Sequence, residues 1–199
     1  MARIDPLRLD ELPDEAKPIL EYSNALMGFV ANDVLTMARW PALLSAMQPL
    51  VGVIYGPGEL DDGLKRLVAL MVSSASGCRY CQAHTAHGSS AAPGIADEKI
   101  AAVWEFETSP LFDEAERAAL RVAMGAGQVP NGVTDAQFAA LREHFSDRQI
   151  MELVGVICLF GFLNRWNDTL ATELESVPSD FAAATLPEDH WAPGKHQRG

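Results

Sequence analysis

Three features of this sequence predict an all-α fold. Apolar residues recur at helical spacing, most clearly at Leu64, Leu67, Val68, Met71 and Val72. Asp113–Glu116, Thr134–Gln137 and Ser146–Gln149 read as capping boxes, which mark helix starts. The apolar–polar alternation of half-buried strands is weak throughout. At 199 residues the chain is long enough for one substantial core and short for two. It is read as a single helical domain over 1–199, with an N-terminal arm at 1–12 and an irregular C-terminal tail at 177–199.

After the arm, Pro13-Asp14-Glu15 predicts a helix start, with proline and acids in the first turn where the dipole favours them. Leu20, Leu26 and Met27 give that helix an apolar side, and Asn32 and Asp33 mark a break. A second helical region runs from Pro41, with a kink or interruption at Pro49, to Gly56-Pro57-Gly58. The amphipathic stretch from Leu60 stops near Gly77, and a helix of about Cys78 to Gly88 follows. A small-residue loop through Pro93-Gly94 leads to Ile95–Phe106. The last capping box opens the longest helix, Gln149 to about Glu175, whose middle is apolar nearly all round and is therefore central or buried against another subunit. Beyond Pro178 only Trp191 stands out as an anchor. One internal echo sets GCRYC (77–81) against LNRWN (163–167), putting Cys81 on Asn167 and Arg66 on Glu152. A duplicated helix hairpin and two apolar helices alike by chance both produce that pattern.

The formal charge of −12 and the pI near 4.7 argue against nucleic acid and against an anionic membrane surface, both of which call for clustered Lys and Arg. Met1–Leu12 has no apolar signal core, and Leu153–Leu163 is short of the ~20 residues that span a bilayer. Three cysteines, two of them in one motif, do not make a secreted disulfide framework. A cytoplasmic protein is expected, with no membrane and no nucleic-acid partner.

That motif is SSASGCRYCQAHTAHG, residues 73–88. Cys78 occupies the start of a helix, where unpaired N–H groups favour a thiolate, and Cys81 lies one turn on along the same face. Their i, i+3 spacing suits a reversible disulfide, and His84, three residues further, is placed to exchange a proton with Cys81. The candidate catalytic residues are Cys78, Cys81 and His84. Zinc is the rival reading, but Cys78, Cys81, His84 and His87 span about 13 Å of helix. Tetrahedral ligands lie within about 2.0–2.3 Å of the ion, so no metal is expected, and no cofactor. His87 reads as a helix-end histidine and Cys158 as a small buried hydrophobe.

The segment Leu67–Thr85, an apolar helix and then GCRYCQAHT, resembles the carboxymuconolactone decarboxylase and alkylhydroperoxidase D superfamily, on its peroxidase-related side. The likeness continues through AERAALRVA (115–123), TDAQFAALREHFSD (134–147) and FLNRWNDTLATELE (162–175). It implies an alkylhydroperoxidase D-like helical bundle that oligomerises and reduces hydroperoxides at the expense of a thiol reductant. By the same resemblance, peroxide oxidises Cys81 and Cys78 resolves it. Two positions depart from the family pattern. Thr85 stands where the relay histidine is expected, with His84 one residue early, and Arg66 stands where the relay glutamate is expected.

The leading expectation is a peroxidase-like thiol oxidoreductase acting as a homo-oligomer. A cofactor-free lyase or isomerase with His84 as base, and a non-catalytic redox-responsive protein, are the alternatives. Arg66 is expected either to stabilise the Cys81 thiolate or to lie at the surface, with Glu152 as a reserve acid.

Overall fold

The computed structural model describes residues 2–92 and 94–197, the side chain of Leu26 excepted. Leu26 as part of an apolar helix side, and Pro93 in the small-residue loop, therefore lie outside what is described. Among the described residues there is no strand, and the α-helices are α1 Lys17–Met27, α2 Asn32–Met37, α3 Pro41–Tyr55, α4 Asp62–Ala75, α5 Arg79–Ser90, α6 Asp97–Ala101, α7 Glu114–Ala126, α8 Asp135–Arg142, α9 Asp147–Leu170 and α10 Ser176–Thr185. The fold is all-α.

Helix α4 is the element the others pack on, with α5, α7 and α9 against it. Asp61 caps it through Leu64 N at 3.0 Å, and from Gly63 to Ser74 every residue except Arg66 is buried. Lys65 lies inside this core because its ammonium donates to Gly56 O at 3.2 Å and stands 3.5 Å from Glu152. Glu152 also accepts from the backbone N–H groups of Glu59 and Leu60 at 3.1 Å each, which together with Arg148 and Lys65, and against burial, brings its pKa down to about 2. It is a structural clasp at the start of α4, away from the thiols. The chain then turns from α4 into α5 at Gly77, whose φ of 73° suits a residue without Cβ.

All three capping boxes are present, each with both reciprocal hydrogen bonds. The other boundaries hold in part. Pro49 sits inside an uninterrupted α3. Asn32 and Asp33 do not break a helix but open α2, the break falling at Gly28–Ala31, where Gly28 has φ 79°. α9 stops at Leu170 because Ala171 adopts the left-handed conformation, so Glu175 is not its last turn but the N-cap residue of α10. Pro178, read as the start of an irregular tail, lies in the first turn of α10, where a missing N–H costs nothing. Residues 164–167 are interior to α9, so the echo of the α4–α5 turn is not a second hairpin.

α9 has the length and apolarity of a spanning segment, with a mean hydropathy of 1.2, yet it packs against α3, α4, α5, α7 and α8. Its outward side is apolar as well: Met151, Phe162 and Cys158 are exposed, and Leu50 and Val53 of α3 are exposed too. Cys158 is thus a surface thiol and not the buried hydrophobe expected; an all-round apolar helix gives no pattern that tells its inner from its outer face. The arm lies along its own chain, Arg3 N donating to Leu170 O at 2.8 Å and Leu7 N to Leu35 O at 3.4 Å.

Leu153, fully buried where α9 meets the core, tests this packing. Leu153→Ala is expected to lower the unfolding free energy by about 2–5 kcal/mol, read as a lower denaturant midpoint at unchanged slope.

Candidate active site

Cys78 is the N-cap residue of α5 and Cys81 lies in its first turn; both are reduced, with 0% and 3% exposure respectively. The first turn of α5 is fixed from the C-terminal segment: Trp191 Nε1 donates to Arg79 O at 3.1 Å, and Arg79 donates to Gln82 and to His190 O. Burial raises the Cys81 pKa well above its ordinary value, and hydrogen bonding to Cys78 raises it further, against the one favourable contact from Asn167. Cys81 therefore rests as a protonated thiol.

Arg66 does not alter this. Its guanidinium stands 4.9 Å from the Tyr55 ring centroid and 3.8 Å from Asp62, and it makes no contact with Cys81 or His84. Of the two alternatives for Arg66, thiolate stabilisation is the one the structure removes.

The acid beside His84 comes from the other end of the chain. Glu175 Oε2 lies 2.6 Å from His84 Nε2. Glu175 Oε1 accepts from the Tyr80 hydroxyl at 2.9 Å and from the backbone N–H of Asn32. The Tyr80 hydroxyl in turn accepts from Asp33 N at 3.2 Å, and its ring stacks on His84 with centroids 4.3 Å apart. Asn167 Nδ2 lies 3.3 Å from Asp33 Oδ2 and 3.4 Å from Cys81 Sγ. One chain of hydrogen bonds thus links Cys81–Asn167–Asp33–Tyr80–Glu175–His84, reaching Asp33 at its carboxylate and leaving it from its backbone N–H.

Its electrostatics follow from burial set against pairing. Burial opposes the imidazolium of His84, but the charge and hydrogen bond of Glu175, with Asp33 beyond, outweigh it and raise the pKa. Burial likewise opposes the Glu175 carboxylate, and His84 together with Asn32 N outweighs it and lowers the pKa. At Asp33 desolvation prevails and raises the pKa, with Glu175 adding to it, and the His84 charge and the Asn167 hydrogen bond offset this only in part. Burial, with Asp33 and Glu175 nearby, pushes the Tyr80 phenol far up, so it remains a donor.

Thr85, at the family's histidine position, bonds back to Cys81 O at 2.7 Å and takes no part in the chain. His87 packs its ring against Phe29 and Phe181 at 6.0 and 5.7 Å, and Phe29 also meets the His84 ring edge-on at 5.5 Å. The four residues weighed for zinc do not converge. Among the described residues the convergent group is Cys78, Asp168 and His196, whose ligand-type atoms lie within 4.8 Å of one another. Lys195 Nζ, 2.7 Å from Asp168, already sets a fixed cation against that carboxylate, which works against a divalent ion.

Of the residues singled out in the sequence, Cys78 is the N-cap residue of α5 and Cys81 and His84 stand on its first two turns. Glu175, Asp33, Tyr80, Asn167 and His196 were not foreseen as site residues. Glu175 closes the quoted FLNRWNDTLATELE stretch, and Asn167 was already paired with Cys81 by the internal echo, so each carried a faint signal.

The profile of the carboxymuconolactone decarboxylase family matches residues 41–124. A relative from Escherichia coli K12, the uncharacterised protein YnjA, is 30% identical over 144 residues, covering 70% of this chain and 79% of that one. This chain belongs to the carboxymuconolactone decarboxylase family. Among solved structures, the debrominase Bmp8 is 31% identical with a TM-score of 0.84, over 90% of this chain and 96% of that one. A cysteine-to-alanine variant of Bmp8 in complex with 2,3,4-tribromopyrrole is similar over 92% of this chain and 96% of that one, at 30% identity and a TM-score of 0.85. A peroxidase-related protein with an alkylhydroperoxidase core from Ralstonia eutropha JMP134, 23% identical over 94% of this chain and 98% of that one with a TM-score of 0.79, shares the fold.

The His84–Glu175 pair sets a pH expectation. Against the ordinary values of 6.5 and 4.5, the raised His84 stabilises the fold at low pH and loses that contribution as pH rises through its folded pKa. The lowered Glu175 stabilises at high pH and loses it as pH falls through its own folded pKa, so both contributions are in force between those ordinary values. In Glu175→Gln, burial is left as the dominant influence on His84. Its NMR titration midpoint is expected to cross from above 6.5 to below it, and a midpoint that stays above 6.5 contradicts the pairing.

Proposed function

We propose that this protein is a thiol-dependent reductase in which the Cys78–Cys81 dithiol gives two electrons to a small electrophile, with a hydroperoxide as its substrate. The observation that carries this is the polar chain leading from Cys81 to the His84–Glu175 pair beside a reduced, desolvated dithiol. Cys81 attacks the terminal oxygen, the O–O bond breaks, and the thiol proton is passed through His84 to the departing alkoxide, giving Cys81 sulfenic acid and an alcohol. Cys78 then displaces water from that sulfenic acid and closes the disulfide. A cellular thiol reductant reopens it, in keeping with a reducing compartment. No metal or organic cofactor is used. A lyase with His84 as base finds less support, because a lone base does not call for a paired, buried dithiol.

A second reading has its own support. The greater identity to a debrominase than to the peroxidase-related protein, with the apolar ring of Phe29 against His84 and that of Phe181 against His87, suits a halogenated aromatic ring as the electrophile.

Turnover of cumene hydroperoxide and of tribromopyrrole with a dithiol reductant tests both. With the hydroperoxide, Cys81→Ser is expected to abolish turnover and His84→Ala to lower kcat by about 100-fold, the usual scale for a positioned acid–base group. Turnover of bromopyrrole alone selects the second reading, and activity that survives loss of both cysteines removes the two together.

The exposed apolar side of α9 and α3 is proposed to be covered in a homo-oligomer, since Met151 and Phe162 of α9 and Leu50 and Val53 of α3 are exposed on two helices that pack together, in a chain whose arm and tail are folded on itself. Light scattering is expected to give a multiple of the 21.5 kDa chain mass, and Val53→Asp to reduce it. A wild-type protein of monomer mass at micromolar concentration contradicts this.

A further inference from the structure

The mechanism above gives Cys81 a proton route through His84 and gives Cys78 none, yet a second histidine and a second carboxylate stand at Cys78. His196, from the turn Gly194–His196 near the end of the chain, is fully buried. Its Nδ1 lies 2.7 Å from Thr172 O. A carbonyl only accepts, so Nδ1 carries the proton and Nε2 of the neutral ring is left bare. Nε2 has no hydrogen-bond partner although it is buried. It faces Asp168 Oδ1 at 3.6 Å, and Cys78 Sγ lies within 4.8 Å of both groups.

We propose that His196 and Asp168 form a second acid–base pair that serves Cys78: His196 Nε2 takes the Cys78 thiol proton as Cys78 attacks Cys81, and Asp168 holds the imidazolium so formed. This rests on the dithiol reading above. In the step, the Cys78 S–H bond breaks and Nε2–H forms. The sulfur lone pair makes the S–S bond as the Cys81 S–O bond breaks, and the departing hydroxide takes the proton back from His196 and leaves as water. The sulfenic acid is reduced, the thiol is oxidised, and His196 ends as it began.

The surroundings suit a base that is neutral until used. Burial lowers the pKa of His196, and the bond to Thr172 and the Asp168 charge offset this only in part. The groups facing its ring are Cys78 at the start of α5, Tyr80 on α5 with ring centroids 6.0 Å apart, Asp168 on α9 and Lys195 beside it in the chain. Lys195 pairs with Asp168 at 2.7 Å and steadies the carboxylate in place. Asp168 is 41% exposed, so its charge is kept in contact with water while the histidine is not.

The test separates this step from substrate chemistry. In a Cys158→Ser protein, 2,2′-dithiodipyridine is expected to release two thiopyridones. A concentration-dependent phase tags Cys81, and a unimolecular phase reports the attack of Cys78 on the mixed disulfide. His196→Asn keeps a donor for Thr172 O but has no basic nitrogen. It is expected to slow the unimolecular phase by about 100-fold at neutral pH, to make that phase rise with pH where the parent is level, and to leave the first phase unchanged. Asp168→Asn, a change at a half-exposed position that the fold tolerates, is expected to slow the same phase several-fold and decides the matter if His196→Asn does not fold. A unimolecular phase of parental rate and pH profile in the folded variants overturns the proposal and leaves His196 as an anchor of the chain terminus. Failure of the dithiol reading shows differently, as a normal unimolecular phase in a protein that turns over no electrophile.

Discussion

Glu175 and His84 meet at 2.6 Å in a site almost closed to water, and the arrangement of the surrounding chain follows from keeping them there. Either charge alone is disfavoured by the desolvation it suffers, and only their mutual attraction, with the Tyr80 hydroxyl and the Asn32 N–H on the carboxylate, brings the balance back toward the ionised pair. A pair of this kind is weak as a source of net stability and strong as a constraint. Removing one partner leaves a buried charge with no answer, so α5, the start of α2 and the start of α10 are held in a single relation. The carboxylate belongs to the N-cap residue of α10, the tyrosine comes from α5 and the N–H from α2; three helix starts converge on one group.

The thiols are placed under the opposite rule. Cys81 is pushed toward its neutral form by burial, by Cys78 and by the nearby Asp33, with only the amide of Asn167 on the other side. A buried thiol kept protonated is inert toward adventitious oxidants, and its reactivity then depends on whether a neighbouring group removes the proton at the right moment. That dependence gives meaning to the histidine–carboxylate pairs around the α5 N-terminus. It also bears on Arg66: a fixed positive charge beside Cys81 would hold a thiolate permanently, whereas the proposed proton route creates it on demand.

What was legible in the sequence is what is settled within a few residues. The α4 periodicity and the three capping boxes are local and stand as read, and Cys78 and Cys81 fall at the start of one helix as expected. The partners of those residues were not legible because they arrive from more than forty residues away, Asp33 from one side and Glu175 from the other. Asn32 and Asp33 look like breakers and are helix openers, since the same short polar side chains favour both roles. The end of α9 escaped for a physical reason as well. Helices commonly stop on a glycine in the left-handed conformation, but here the residue is Ala171, with φ 50° and ψ 46°, and nothing in the sequence announces it.

That alanine costs about 1–2 kcal/mol in its conformation, and the chain meets the cost by tying the turn down from both termini. Arg3 of the arm bonds Leu170 O and Thr169 O. On the far side Thr172 N returns to Asn167 O, His196 bonds Thr172 O, and Leu174 N donates to His196 O. The residues gripped by these bonds, 169 to 174, run directly into Glu175. Were α9 to continue one more turn, as its composition would allow, Glu175 would be carried round the helix axis and away from His84. The stop at Ala171 is therefore what converts a carboxylate distant in sequence into the partner of His84. The arm and the C-terminal segment, which carry neither cysteine nor the first histidine, determine where that carboxylate stands.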